Sequence, residues 1–181
     1  MRWGAWLTRP DPYLVVFSGL PGTGKTVIAK GLAGALGLVY LRIDTIEQAL
    51  IRAGIERVGA AGYAVANALA EESLRLGRSL VADCVNPVRE SRIGWRAVAE
   101  RASARLVEIH LMCSDRAEHR RRVERRLPDI PGHVLPGWDA VLAHEFEPRD
   151  DDDCLVVDTA RSSVMESVER CVDYVRLGLS R

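Results

Sequence analysis

Gly19-Leu20-Pro21-Gly22-Thr23-Gly24-Lys25-Thr26 is the stretch whose reading decides the fold. It fits G-x-x-x-x-G-K-[ST] at every fixed position. Upstream, Tyr13-Leu14-Val15-Val16-Phe17 is a short unbroken apolar run, as in a buried parallel strand. Downstream, Val27, Ile28, Leu32, Ala33 and Leu36 recur at helical spacing. In a strand–loop–helix unit of this kind, Gly19, Gly22 and Gly24, with Pro21 and Thr23 between them, let backbone N–H groups curl around an anion. The helix start adds unpaired donors and a positive dipole end. Lys25 reaches the outer phosphates, and the Thr26 hydroxyl is placed to ligand Mg²⁺. A chance glycine-rich turn is the plainer alternative, and it does not explain why strand, loop and helix are in register. The stretch predicts a nucleoside triphosphate site, for ATP or GTP, with Mg²⁺.

Beyond the loop, strand and helix patterns alternate. Leu38–Ile43 reads as a second strand ending at Asp44, and Thr45–Ala53 as a helix. Gly54–Gly62 is a loose connection. Tyr63–Leu76 reads as a helix with Ala64, Ala68 and Leu69 inward, closed by Gly77. Ser79–Asp83 is a third strand followed by the turn Cys84-Val85-Asn86-Pro87. Glu90–Ala102 is helical and Arg105–Cys113 is a fourth strand. Asp115 caps a charged helix to about Arg126. A Pro/Gly-punctuated segment, Leu127–Gly137, precedes a short helix at Trp138–His144. Cys154–Val157 is the fifth strand and Ser163–Leu177 the last helix. Trp3 and Trp6 are expected to cover an edge of the core, and Asp150–Asp153 to form a solvated loop. Such alternation predicts a three-layer α/β fold, a five-stranded parallel sheet with helices on both faces, in one domain spanning residues 1–181.

In open parallel sheets, ligands sit beyond the carboxyl ends of the strands. That rule gathers Asp44, Asp83, Asp115 and Asp158 on one rim with the phosphate loop. Phosphoryl transfer needs neutralised phosphate charge, an acceptor held in line and a proton acceptor. Asp44 is the expected base, with a helix N-cap as its alternative role. Asp83 is placed to hold Mg²⁺ through water, or to orient the acceptor or Asp44. Asn86 is a candidate substrate contact or a turn former.

The Asp115–Arg126 helix carries few apolar residues and many arginines. It is either solvated and braced by pairs such as Glu118–Arg122, or it faces a ligand. Arg122 and Arg126 lie four apart on one face, and guanidinium groups over the phosphates would spread the charge that develops during transfer. The expectation is a mobile arginine-rich lid over about residues 115–137. His110, His119, His133 and His144 show no metal spacing, and the cysteines form no C-x-x-C pair.

The 181 residues carry zero formal net charge, which gives no overall field toward nucleic acid or an anionic membrane. Only Lys25 and Lys30 are lysines; the other cations are arginine. No apolar run suits a signal peptide or a membrane span, and the expectation is a reduced, cytoplasmic protein with a small-molecule partner.

The phosphate loop, Asp44, the segment Leu80–Pro87 and the His119–Arg126 stretch together resemble the small P-loop kinases. That group contains chloramphenicol phosphotransferase, zeta-type toxin kinases, gluconate kinase and the polynucleotide 5′-kinase domain. The resemblance covers almost the whole chain. It implies transfer of the γ-phosphate to an alcohol, Asp44 as base, and lid arginines Arg122 and Arg126 on the phosphates. It also extends to self-resistance phosphotransferases for chloramphenicol or for nucleoside antibiotics such as capuramycin. The alternatives are a polynucleotide or nucleotide-sugar kinase and a non-kinase NTPase switch. The polynucleotide kinases carry an arginine where this chain has Glu47, which weighs against nucleic-acid ends. The switch reading lacks a glutamate beside Asp83.

Overall fold

The central strand explains the layering. In a computed structural model describing residues 11–147 and 154–179, β1 (Tyr13–Ser18) is buried at every position after the first. Successive side chains point to opposite faces. Val15 and Phe17 therefore join one apolar cluster, and Leu14 and Val16 another. The first is roofed by α1 (Lys25–Leu36) and α7 (Val164–Leu179), the second by α3 (Ala61–Arg75) and α4 (Arg89–Arg101). Neither face of β1 meets water, hence its run of apolar residues without alternation.

The remaining strands are β2 (Val39–Arg42), β3 (Leu80–Asp83), β4 (Arg105–Met112) and β5 (Cys154–Asp158). Every pairing is parallel and the order is β2-β3-β1-β4-β5. This is the expected five-stranded parallel sheet. Trp95 of α4 is the largest fully buried side chain among the described residues and packs beside Tyr63, with ring centroids 6.4 Å apart. The connections after the strands carry α2 (Ile43–Arg52), α5 (Arg116–Arg125) and α6 (Trp138–Leu142).

Three local readings shift. β2 stops at Arg42, and Ile43 opens α2 directly, so Asp44 lies in the first turn of a helix and not at a strand end. The N-cap position belongs to Arg42, which makes no side-chain cap. α3 buries Gly62, Ala66, Ala70 and Leu74, whereas Ala64, Ala68 and Leu69 face out. Val27 of α1 is exposed, and Ile28, Ala29 and Leu32 carry the buried face instead. Asp115 does cap α5, accepting from the N–H groups of Ala117 and Glu118. Trp3, Trp6 and the run Asp150–Asp153 lie outside the described residues. No described helix is long and apolar enough to cross a membrane.

Candidate active site

The loop between β1 and α1 has no slack. Gly19 has φ +136°, and a Cβ there would stand 2.1 Å from the Leu111 carbonyl oxygen on β4. Gly22 has φ +87°, and its missing Cβ would meet Val123 of α5 at 2.5 Å. Only glycine fits either place, the first by backbone approach and the second by contact with the arginine-bearing helix. Thr23 folds back through its hydroxyl onto the Leu20 carbonyl at 2.8 Å. Gly24 stands at the N-cap of α1 in the left-handed region; the cap has no side-chain hydrogen bond and the first turn no acid. The donors at this helix end and its positive dipole are left to an anion.

Lys25 is buried, and its Nζ donates to the Leu20 carbonyl at 2.8 Å. Burial lowers its pKa, and the negative charges of Asp83 and Asp44 pull the other way. The Thr26 hydroxyl donates to Asp83 Oδ2 at 2.8 Å. Asp83, at the end of β3, is 3% exposed and also accepts from the Tyr40 hydroxyl at 2.6 Å. Two hard oxygen donors in contact beside Lys25 suit Mg²⁺, which takes one or two protein oxygens and completes its shell with water and phosphate. No cluster of three or more His, Cys, Asp or Glu side chains suited to a metal occurs among the described residues.

These groups open on a cavity of about 810 Å³. Pro21, Gly22, Gly24, Lys25 and Thr26 form its floor, and Asp44 and Asp83 line it as well. Arg122, Arg125 and Arg126 come from α5 and its end, and Leu127, Leu135 and Pro136 add an apolar wall. Two of the four rim carboxylates therefore face this space. Asp115 is occupied as a cap, and Asp158 accepts from Ser114 and the Ala160 N–H, tying two loops together.

Asn86 is placed otherwise. It is fully buried with φ +50°, its backbone N–H donates to the Tyr63 hydroxyl, and its side chain is not among the groups lining the cavity. The residue shapes the turn after β3, the turn-forming role of its two expected ones, and both of its side-chain amide atoms lack hydrogen-bond partners.

The arginine helix combines both readings of its sequence. Glu118 pairs with Arg121 and Arg122, and Glu124 with Arg120, bracing the solvated side. On the other side His119 and Val123 are buried. His119 Nε2 contacts the Pro21 carbonyl at 2.8 Å, and its ring meets Trp138 edge-on at 5.2 Å. This packing sets α5 against the phosphate loop. Arg122 donates to the hydroxyl and carbonyl of Thr159 at 2.9 and 3.0 Å. Arg126 donates to the Pro136 carbonyl at 2.9 Å, and burial lowers its pKa while Asp44 opposes the shift. A second cavity of about 370 Å³ lies beside the loop, bounded by Gly24, Arg122, Thr159 and Ser163.

Arg42 has no place in the sequence expectations, yet it joins the acids of the cleft. Its Nε and Nη2 donate to Asp44 Oδ2 at 3.2 and 3.0 Å, and its Nη1 to both oxygens of Asp129 at 2.9 and 2.8 Å. Asp83 Oδ2 is 3.8 Å from Nε. Burial works against the Arg42 charge, but the bonds to Asp129 and the surrounding carboxylates outweigh it and raise the pKa. Lys30 also reaches Asp129, at 3.1 Å. One signal was available: in a parallel sheet, Arg42 at the last position of β2 stands in register with Asp83 of β3.

A parallel five-stranded sheet with this loop and this helix defines the P-loop NTPase fold of the kinase type. Residues 14–142 match the AAA domain family, and the chain belongs to it. A UPF0200 protein of Aeropyrum pernix is 35% identical over 107 residues, 50% of this chain and 57% of that relative. The match thus spans little more than half of that relative's length. Among solved structures, a sugar kinase from Janibacter sp. HTCC2649 is 21% identical with a TM-score of 0.68, covering 93% of this chain and 97% of its own. A gluconokinase from Sinorhizobium meliloti is 22% identical with a TM-score of 0.64, covering 95% and 97%. At these identities the two structures bear on the fold.

Proposed function

We propose that the protein is a Mg²⁺-dependent phosphotransferase that moves the γ-phosphate of ATP or GTP to a hydroxyl of a small molecule. The carrying observation is that Asp44 lines the same cavity as the phosphate loop and Lys25. The triphosphate would lie on the loop N–H groups and Lys25, with Arg122 and Arg126 against its outer oxygens. Thr26, and Asp83 through water, would hold Mg²⁺, which supplies charge neutralisation at the β- and γ-phosphates. Asp44 takes the proton of the acceptor hydroxyl as its oxygen bonds to phosphorus, and the bond to the diphosphate oxygen breaks. The stretch 115–137 serves as the lid, excluding water so that transfer outruns hydrolysis.

The acceptor end is bounded by Val85, Leu127, Leu135 and Pro136, with His133 and His144 near them. That wall suits an alcohol borne on a partly apolar scaffold better than a highly charged one. Antibiotics with a free hydroxyl, chloramphenicol-like or nucleoside-based, meet the description. Sugars and polyols form the comparison class, because a sugar kinase and a gluconokinase share this fold. The second cavity, beside Thr159 and Ser163, is where the nucleobase would sit.

The test is an acceptor screen read by mass spectrometry for a phosphate-sized gain, with oligonucleotides as a separate arm. Transfer is expected to need Lys25 and to fall by about two orders of magnitude or more in Asp44→Asn, a general base contributing roughly 10²–10⁴-fold. Full transfer by Asp44→Asn overturns the base assignment, and full activity of Lys25→Ala overturns the site.

A further inference from the structure

The cations of the cleft differ in what they touch. Lys25 and Arg126 donate to backbone carbonyls, and Arg122 to Thr159 and Glu118. Arg42 alone stands between two carboxylates of the cavity lining that come from distant parts of the chain: Asp44 in α2, and Asp129 in the segment after α5. Its side chain is 9% exposed, whereas that of Asp129 is 48% exposed. The guanidinium is thus part of the wall, and Asp129 reaches it from the covering segment. The same segment is also tied to the end of α2, since Arg52 donates to the Pro131 carbonyl.

A guanidinium is flat and rigid, so fixing one edge fixes the other. Asp129 takes Nη1 with both oxygens, a charge-assisted contact that sets the plane. Nε and Nη2 then deliver two bonds to the same oxygen of Asp44, Oδ2. Oδ1 of Asp44 has no hydrogen-bond donor among the described residues. Loss of Asp129 would leave the plane set by Asp44 alone, with Asp83 3.8 Å from Nε as a competing acceptor.

We propose that Arg42 is a positioning residue that transmits closure of the 127–137 segment to Asp44, Asp129 fixing the guanidinium so that Asp44 presents Oδ1 to the acceptor. This rests on the reading of Asp44 as the base. The coupling makes the base competent only when the cleft is covered, and it would suppress transfer to water from an open site. Lys30, which shares Asp129 Oδ2 with Arg42, fastens the segment without touching Asp44.

The test uses the full chain with ¹³C-labelled aspartate, the Asp44 carboxylate carbon being assigned by its loss in Asp44→Asn. Asp129→Asn is expected to move that resonance although Asp129 does not touch Asp44. Arg42→Lys moves it too, and the double variant moves it no further than Arg42→Lys alone. Lys30→Met leaves it in place. With MgATP as the only added ligand, nucleotide affinity is expected to hold in Arg42→Lys and Asp129→Asn while single-turnover γ-phosphate release falls about tenfold or more, a misplaced reacting group costing up to ~10². Here too the two effects should not multiply. An Asp44 resonance indifferent to Asp129→Asn, or effects that multiply in the double variant, overturns the proposal. Asp129 is half exposed, so Asp129→Asn keeps the test decisive if Arg42→Lys is unstable. An unchanged rate in Asp44→Asn would instead sink the base assignment, and the resonance arm would still decide whether Arg42 couples the two carboxylates.

Discussion

Tyr40→Phe removes one oxygen and nothing else from the wall of the cleft. That oxygen stands 2.6 Å from Asp83 Oδ2, and Asp83 is 3% exposed, so water cannot readily replace the lost donor. A hydrogen bond to a charged group contributes about 1.5–3 kcal/mol. The ring stays, and no apolar cavity opens. The expected loss is about 2 kcal/mol, which for a chain of this length lowers Tm by roughly 4–8 °C. Burial and the Asp83 charge push the Tyr40 hydroxyl pKa well above its usual range, so the donor stays protonated and the loss should not vary across neutral pH. Tyr13→Phe is the control, because the Tyr13 hydroxyl has no hydrogen bond among the described residues; it should stay within about 0.5 kcal/mol of the parent. Urea midpoints and calorimetry on both variants, repeated in an Asp83→Asn background, complete the cycle. If Tyr40→Phe costs no more than Tyr13→Phe, Asp83 does not depend on that hydroxyl. If the cost persists in Asp83→Asn, the bond is not its origin.

Two further outcomes are expected. Gly22→Ala combines a positive φ, costing about 1–2 kcal/mol, with a contact against Val123; thermal unfolding should show Gly22→Ala/Val123→Ala less destabilised than the sum of the single variants, and strict additivity would mean the two sites do not touch. Asp129 is held at about 2, first by its bond from Arg42, so its ion pairs stabilise the fold above the ordinary carboxylate range near ~4 and lose that effect as pH falls toward about 2. Its side chain is half exposed, which keeps the contribution to about 1 kcal/mol or less; urea midpoints against pH should lose that portion in Asp129→Asn and in high salt.

The elements legible in sequence were those whose signal is local. The phosphate loop and β1 are contiguous, and the buried strands announce themselves as apolar runs because both faces are covered. Strand-end logic put Asp83 on the rim with the phosphate loop, and the bond from Thr26 joins the two there. The helices were less readable. α3 is rich in alanine, and several faces look equally apolar, so the burial of Ala66, Ala70 and Leu74 could not be told from that of Ala64, Ala68 and Leu69. Ile43 looked like one more strand residue, because the first helical position of α2 is buried against the same core as the strands. Asn86 looked polar and exposed on a turn, whereas the tight geometry after β3 turns it inward. The pairing of Arg42 with Asp129 was beyond reach for a different reason. It joins positions 87 residues apart, through a segment with no periodicity to orient it.

What the cations rest on also separates their roles. A backbone carbonyl carries a partial charge, and a triphosphate oxygen most of a full one, so a cation parked on a carbonyl gains by exchanging it for phosphate. Lys25 on Leu20 and Arg126 on Pro136 are in that condition, and the two terminal nitrogens of Arg122 rest on the hydroxyl and carbonyl of Thr159. Arg42 is not. Moving it onto phosphate would break bonds to two carboxylates, leaving Asp44 without its ion pair and Asp129 with Lys30 alone, the costlier half of such an exchange. The cleft therefore keeps one guanidinium committed to its own acids while the others stay exchangeable, and a residue so committed acts by orienting a carboxylate and not by binding the nucleotide.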